Sequence, residues 1–249
     1  MNRSASAWSG LSAALAILVV GSSACWSQTE TTVNLAPSGL LELSQGDVSL
    51  GTIELNAHGA KWTHAPQKDA KATASALPES PGKRLTGTLP VPNTDGGSIG
   101  FVETVEVLSQ GIHLDYDLTM SKEMKLNGLQ FSLNLPVATY AGKEVFVSEL
   151  HAEPKLVGLP KEQQESKFQL WSGQGAKIEI AKDTLQAVTI ELRASTDVVI
   201  HDLRQWEHPI FEIRFPAIMQ DPGRPVKAGE KFHLDLTVTF ANPVRLQAP

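Results

Sequence analysis

Apolar and polar residues alternate with a period of two along most of this chain, the mark of strands with one face buried. Over 111–119, Ile112, Leu114, Tyr116 and Leu118 alternate with His113, Asp115, Asp117 and Thr119. Over 128–135, Leu129, Phe131, Leu133 and Leu135 oppose Gln130, Ser132 and Asn134, and Pro136 ends the run. Val188, Ile190 and Leu192 alternate with Thr189, Glu191 and Arg193, and Phe211, Ile213 and Phe215 with Glu212 and Arg214. The clearest run is the last, where Phe232, Leu234, Leu236, Val238 and Phe240 oppose His233, Asp235, Thr237 and Thr239. Weaker strands fit 48–55, 85–89, 101–108, 143–150, 176–180 and 198–203. Turn residues punctuate them: Gln110-Gly111, Asn127-Gly128, Ala141-Gly142, 172–175 and 221–225. About a dozen strands without a long helix predict an all-β fold, a large antiparallel β-sandwich of two sheets packed face to face. A closed barrel is the alternative. An outer-membrane barrel fits poorly, because the strands are uneven in length.

The first residues break this rhythm. Arg3, an apolar run over 11–20 and the small residues Gly21-Ser22-Ser23-Ala24 have the three-part layout of an export signal. The run is too short for a bilayer-spanning anchor. Residues 1–24 therefore read as a signal peptide, and the protein as exported, periplasmic or extracellular. Ser22-Ser23-Ala24-Cys25 resembles a bacterial lipoprotein box, with Ser22 where that pattern prefers a large aliphatic residue. The resemblance marks Cys25 as a candidate lipidation site and lipid anchor.

Behind the signal, 25–38 reads as a flexible segment, 39–243 as a single domain and 244–249 as a tail. Within the domain, 64–84, rich in Ala, Lys, Ser and Pro, reads as a long surface excursion. Cys25 is the only cysteine, so the domain has no internal disulfide and must be stabilised by packing. Removing 1–24 leaves 20 Lys and Arg against 27 Asp and Glu, a net charge of −7. That balance argues against nucleic acid and anionic lipid as partners. No second apolar run approaches transmembrane length. The pattern sets no oligomeric state.

The segments 111–145 and 198–240, with the turn Ala228-Gly229-Glu230 before the final strand, resemble the galactose-mutarotase-like supersandwiches of secreted bacterial carbohydrate-active proteins. The resemblance implies a fold and a carbohydrate-rich milieu. Enzymes of the epimerase type in that group carry an Asn-His pair and a late catalytic glutamate, and this chain has no Asn-His pair.

The densest cluster of functional side chains is 201–208, which leaves a strand and runs to Pro209. Sugar binding needs an aromatic platform for the ring and planar polar groups for the hydroxyls. Trp206 with His201, Asp202 and Arg204 offers both, and Trp171 beside 172–175 is a second platform; Trp62 is a weaker third. The competing reading makes Asp202–Arg204 an ion pair pinning the turn and Trp206 a cap on the core. His113, Asp115 and Asp117 share one strand face, but same-face neighbours lie about 7 Å apart, wide for chelating one ion from one strand. A solvated face is the simpler reading there, and no metal site is assigned. No P-loop, dinucleotide fingerprint, H-E-x-x-H, C-x-x-C, EF-hand or G-x-S-x-G pattern is present, so no cofactor and no catalytic residue is assigned. The chain thus reads as a non-catalytic exported β-sandwich that binds carbohydrate or another cell-envelope ligand. The alternatives are a carbohydrate-active enzyme with unmarked acids and a structural or assembly protein of the envelope.

Overall fold

A computed structural model describes residues 30–150 and 152–248. The signal-peptide residues and Cys25 lie outside them. Sixteen strands follow in chain order: β1 (Thr31–Leu35), β2 (Leu41–Gln45), β3 (Val48–His58), β4 (His64–Pro66), β5 (Lys71–Ala76), β6 (Gly82–Pro90), β7 (Ser98–Leu108), β8 (Gly111–Met120), β9 (Met124–Pro136), β10 (Glu144–Ser148), β11 (Lys155–Gly158), β12 (Gln169–Ile180), β13 (Val188–Asp202), β14 (Ile210–Val226), β15 (Lys231–Phe240) and β16 (Val244–Gln247). Among the described residues the only α-helix is the single turn Val137–Tyr140, and no helix is long and apolar enough to cross a membrane.

Hydrogen bonding joins the strands in the order β16-β1-β2-β3-β9-β14-β13-β15-β8-β7-β6-β5. The path folds into two layers at β13. Its first half, Val188 to Leu192, pairs with β15, and its second half, Val199 to Asp202, pairs with β14. β12 follows it around the corner through a register shift between Gly175 and Lys177. Such shifts bend a strand and raise its local twist, which lets one strand serve both layers.

The apolar halves of the alternations meet between the layers. Ile53, Phe131, Leu133 and Phe215 face Ile190, Leu236 and Val238 across a void of only about 10 Å³. The Tyr116 and Phe131 rings approach to 4.1 Å. Among the polar groups buried here are Glu103 and Gln67, both fully inaccessible. Gln67 Nε2 donates to Glu103 Oε2 at 2.9 Å, and the Gln67 Oε1 accepts from the Leu55 amide at 2.6 Å. Burial pushes the Glu103 carboxyl up to about 8, so it stands protonated at neutral pH.

Three segments differ from the sequence reading. β1 falls within 25–38, where a flexible segment is expected, and buries Val33 and Leu35. It pairs parallel with β16, which falls in the expected tail, through Thr31 opposite Val244. Each run is too short to show a period, and their pairing spans most of the chain. The third is 64–84, read as a surface excursion. It holds β4, β5 and the start of β6, and Ala65, Pro66 and Gln67 are buried. Its Ala- and Lys-rich composition suits β5 as an exposed sheet edge, where charge discourages further pairing.

Candidate functional site

The polar halves of β3, β9, β14 and β13 fall on one face, the face of the first layer turned away from the core. Cross-strand register places Thr52 beside Asn134, Asn134 beside Glu212, and Glu212 beside His201. A second row runs Glu54, Ser132, Arg214 and Val199, and a third pairs Asn56 with Gln130. These residues point away from the core, yet Asn56, Gln130, Ser132, His201 and Glu212 are all buried. Ordinary outward positions on a sandwich are solvated. Here the chain between β3 and β4, with a turn at Ala60–Trp62, folds over β9 and β14. Gly128 makes that close approach workable, because a Cβ there would come within 2.8 Å of the His58 ring.

At the centre, Glu212 is anchored on three sides. Its Oε1 accepts from Ser132 Oγ at 2.6 Å and from Gln130 Nε2 at 3.3 Å, while Arg214 Nε donates to Oε2 at 2.6 Å. Asn134 Nδ2 donates to Glu54 Oε1 at 2.7 Å and to Thr52 Oγ1 at 3.2 Å. Burial raises the Glu54 carboxyl, and the Asn134 hydrogen bond works against that rise.

Three histidines ring this pair. His58 stacks on His64 with ring centroids 5.1 Å apart, and Trp62 meets His58 edge-on at 5.6 Å. His64 Nε2 and Asn56 Oδ1 are 2.7 Å apart. Across the face, Phe168 packs edge-on against His201 at 5.2 Å and against Trp206 at 5.0 Å. Burial lowers His58 and His201 to about 4, helped at His201 by the Arg214 charge and at His58 by His64. His64 is lowered too, chiefly by burial. All three are therefore neutral at pH 7, each with one ring nitrogen able to accept and one to donate.

Several buried polar atoms on this face have no partner among the described residues: both ring nitrogens of His201, His58 Nδ1 and Gln130 Oε1. Leaving such a group unsatisfied costs about 1–3 kcal/mol. A cluster of them beside the exposed rings of Trp62, Phe168 and Trp206 is the arrangement a polar, ring-shaped ligand would complete.

The sequence candidates divide across the two faces. His201 stands on the polar face, and Trp206, 49% exposed, flanks it through Phe168 instead of capping the core. Asp202 points the other way and forms a bidentate pair with Arg204, whose Nε lies 2.9 Å from Oδ1 and Nη2 2.6 Å from Oδ2. Arg204 also donates to the carbonyls of Pro160 and Lys161 at 2.9 and 2.7 Å. Together with the 2.7 Å bond from the Asp202 amide to the Phe168 carbonyl, the pair pins the loop that presents Phe168. Trp171 pairs with Ile200 and packs half-buried against the core.

Glu54, Asn56, His58, Gln130, Ser132, Asn134, Glu212 and Arg214 are not singled out by the sequence. The available signal was compositional, since the polar positions of 128–136 and 210–216 hold amides, hydroxyls and one Arg–Glu pair, and no lysine. On the second layer, register supplies the ligand strand that one strand alone lacked. Asp115, His233 and Asp235 bring their ligand atoms within 4.8 Å of one another. These groups already partner locally, His113 with Asp235 at 2.9 Å and His233 with Asp117 at 3.1 Å.

No family model matches the chain, and no curated protein matches it. Solved structures do. A galactose mutarotase-like protein from Lactobacillus casei ATCC 334 is similar over 82% of this chain and 94% of its own, at 12% identity and a TM-score of 0.52. A galactose mutarotase related enzyme from Lactobacillus acidophilus is 10% identical over 84% of this chain and 93% of its own, with a TM-score of 0.47. A 4-alpha-glucanotransferase from Thermococcus litoralis is 11% identical over 82% of this chain and 34% of its own, with a TM-score of 0.48. The first of these shows that the fold is the galactose-mutarotase-like β-sandwich; likeness at such identity concerns the fold alone.

Proposed function

We propose that this protein is an exported, non-catalytic carbohydrate-binding β-sandwich whose ligand lies on the polar face of β3, β9, β14 and β13. The observation that carries the reading is the set of buried hydrogen-bonding atoms without partners among the described residues, at His201, His58 and Gln130, flanked by exposed aromatic rings. A sugar supplies what those groups lack: hydroxyls that both donate and accept, and apolar ring faces for Trp206, Phe168 and Trp62. The fold shared with a galactose mutarotase-like protein supports the same ligand class. The charge-free histidines and the internally neutralised Arg214–Glu212 pair suit an uncharged ligand.

Binding is favoured over turnover because Glu212, the best-placed carboxylate, already accepts three hydrogen bonds, one from a guanidinium. A general base needs a free lone pair aimed at the proton it removes. Export rests on the N-terminal layout of Arg3, the apolar run and the small residues before Cys25.

The test is calorimetric titration of the wild type and His201→Leu with galactose, glucose and neutral oligosaccharides, beside an assay of anomer interconversion. Saturable binding lost in the variant, with no acceleration of mutarotation, is the expected result. Absence of binding to every saccharide overturns the carbohydrate reading, and accelerated mutarotation overturns the non-catalytic one.

A further inference from the structure

The polar row through Glu212 does not stop at β3. Register continues it from Thr52 to Glu42 on β2, from Glu42 to Asn34 on β1, and from Asn34 to Gln247 on β16. At the other end it passes from His201 to Gln169 on β12. Gln247, Asn34, Glu42, Thr52, Asn134, Glu212, His201 and Gln169 thus form one line across eight strands, running perpendicular to them. At the usual spacing between neighbouring strands, eight strands span roughly 34 Å.

The far end of this line opens into a cleft of about 400 Å³ between β16, β1, β2 and β3. Its polar lining includes Asn34, Glu42, Ser44, Ser49, Thr52 and Gln247. Hydroxyls, amides and one carboxylate are the groups that recognise a polyol, and the volume falls within the range of small-ligand pockets. Asn34 Nδ2 donates to Glu42 Oε2 at 2.8 Å, which holds the two planar groups side by side as a lip of the cleft. Gly51, at φ +126°, lets the backbones of β3 and β9 come close beside the cleft, since a Cβ there would strike the Asn134 carbonyl oxygen.

Glu42 and His201 are separated by four strand spacings, roughly 19 Å, too far for one sugar ring to touch both. Between them Asn134 donates to Thr52, which joins β9 to β3 along the line. The eight positions of the line include two carboxylates and no lysine or arginine.

We propose that the ligand is a neutral oligosaccharide lying along this line, with one end at His201 and Trp206 and a second subsite in the cleft at Asn34 and Glu42. The proposal rests on the carbohydrate reading above and adds chain length, direction and charge to it. A sugar acid would meet the Glu42 carboxylate without a free cation on the line, so polyuronates are disfavoured.

Isothermal titration with glucose and galactose, and with cellohexaose, maltohexaose, β-1,4-galactohexaose and hexagalacturonate, tests it. A neutral hexasaccharide is expected to bind at least tenfold more tightly than its monosaccharide, and hexagalacturonate more weakly than the neutral chains. Asn34→Ala with Glu42→Ala is expected to collapse the hexasaccharide-to-monosaccharide ratio toward one, with folding checked by circular dichroism. Equal affinity for both lengths, a length gain that survives the double variant, or preference for hexagalacturonate overturns the proposal while leaving carbohydrate binding intact. Failure of every saccharide to bind overturns the underlying reading, and this proposal with it.

Discussion

Replacing His201 by leucine should make the protein less sensitive to acid without weakening it at neutral pH. His201 is 5% exposed, neither ring nitrogen has a partner among the described residues, and its imidazole is lowered from 6.5 to about 4. The sign follows from where protons bind. Below pH 6.5 the unfolded chain protonates this histidine while the folded one resists, so its contribution is fully present above 6.5 and is lost as pH falls through about 4. At pH 4 the loss amounts to about 3 kcal/mol relative to pH 7. Leucine does not titrate, so that part of the slope should vanish in the variant. At pH 7 the same change removes two unsatisfied buried nitrogens and keeps an apolar contact for Phe168. Stability should then be unchanged or higher by about 1 kcal/mol. Urea unfolding followed by circular dichroism at pH 7, 5.5 and 4 measures both effects. Parallel pH profiles for wild type and variant would refute the burial argument. A loss above about 2 kcal/mol at pH 7 would show that His201 has partners in the fold and is not held ready for a ligand.

Other consequences follow from the same structure. Glu103→Gln should stabilise the protein by about 3 kcal/mol more at pH 8 than at pH 5, because a carboxyl raised to about 8 loses its stabilising protonated state as pH rises through that value; unfolding curves at the two pH values check this. Leu236→Ala, in the well-packed space facing Ile53, Phe131 and Phe215, should cost roughly 2–5 kcal/mol, and Thr237→Ala on the opposite side much less, by urea denaturation. Trp206→Ala should shift stability by less than about 1 kcal/mol, since the ring is half exposed, while weakening saccharide affinity about fivefold in calorimetry.

The sandwich was legible because its longest strands alternate cleanly. The apolar sets of 111–119, 128–135, 211–215 and 232–240 are the ones that face each other across the core. β1, β2 and β16 escaped because four or five residues carry too little pattern, and β1 and β16 are joined only by a pairing between the two ends of the chain. The site was half legible. A cluster at 201–208 drew attention to His201 and Trp206, but parity along β13 separates His201 from Asp202, and that parity decides which of them faces a ligand. Glu212 and Gln130 looked like solvent-facing positions, since alternation tells which residues share a face and not whether that face is covered. Their burial depends on the turn after β3 folding over β9 and β14, a long-range event. The cleft at Asn34 and Glu42 was hidden for the same reason, because it exists only once β16 joins β1.

Following the seven histidine rings by NMR during titration with galactose and with a neutral hexasaccharide tests the central claim most directly. The account predicts saturable shifts at His201, His58 and His64, on the polar face, with His113 and His233 on the second layer unmoved. Saturable binding that shifts His113 or His233 instead, or that leaves His201 and His58 unchanged, would contradict it.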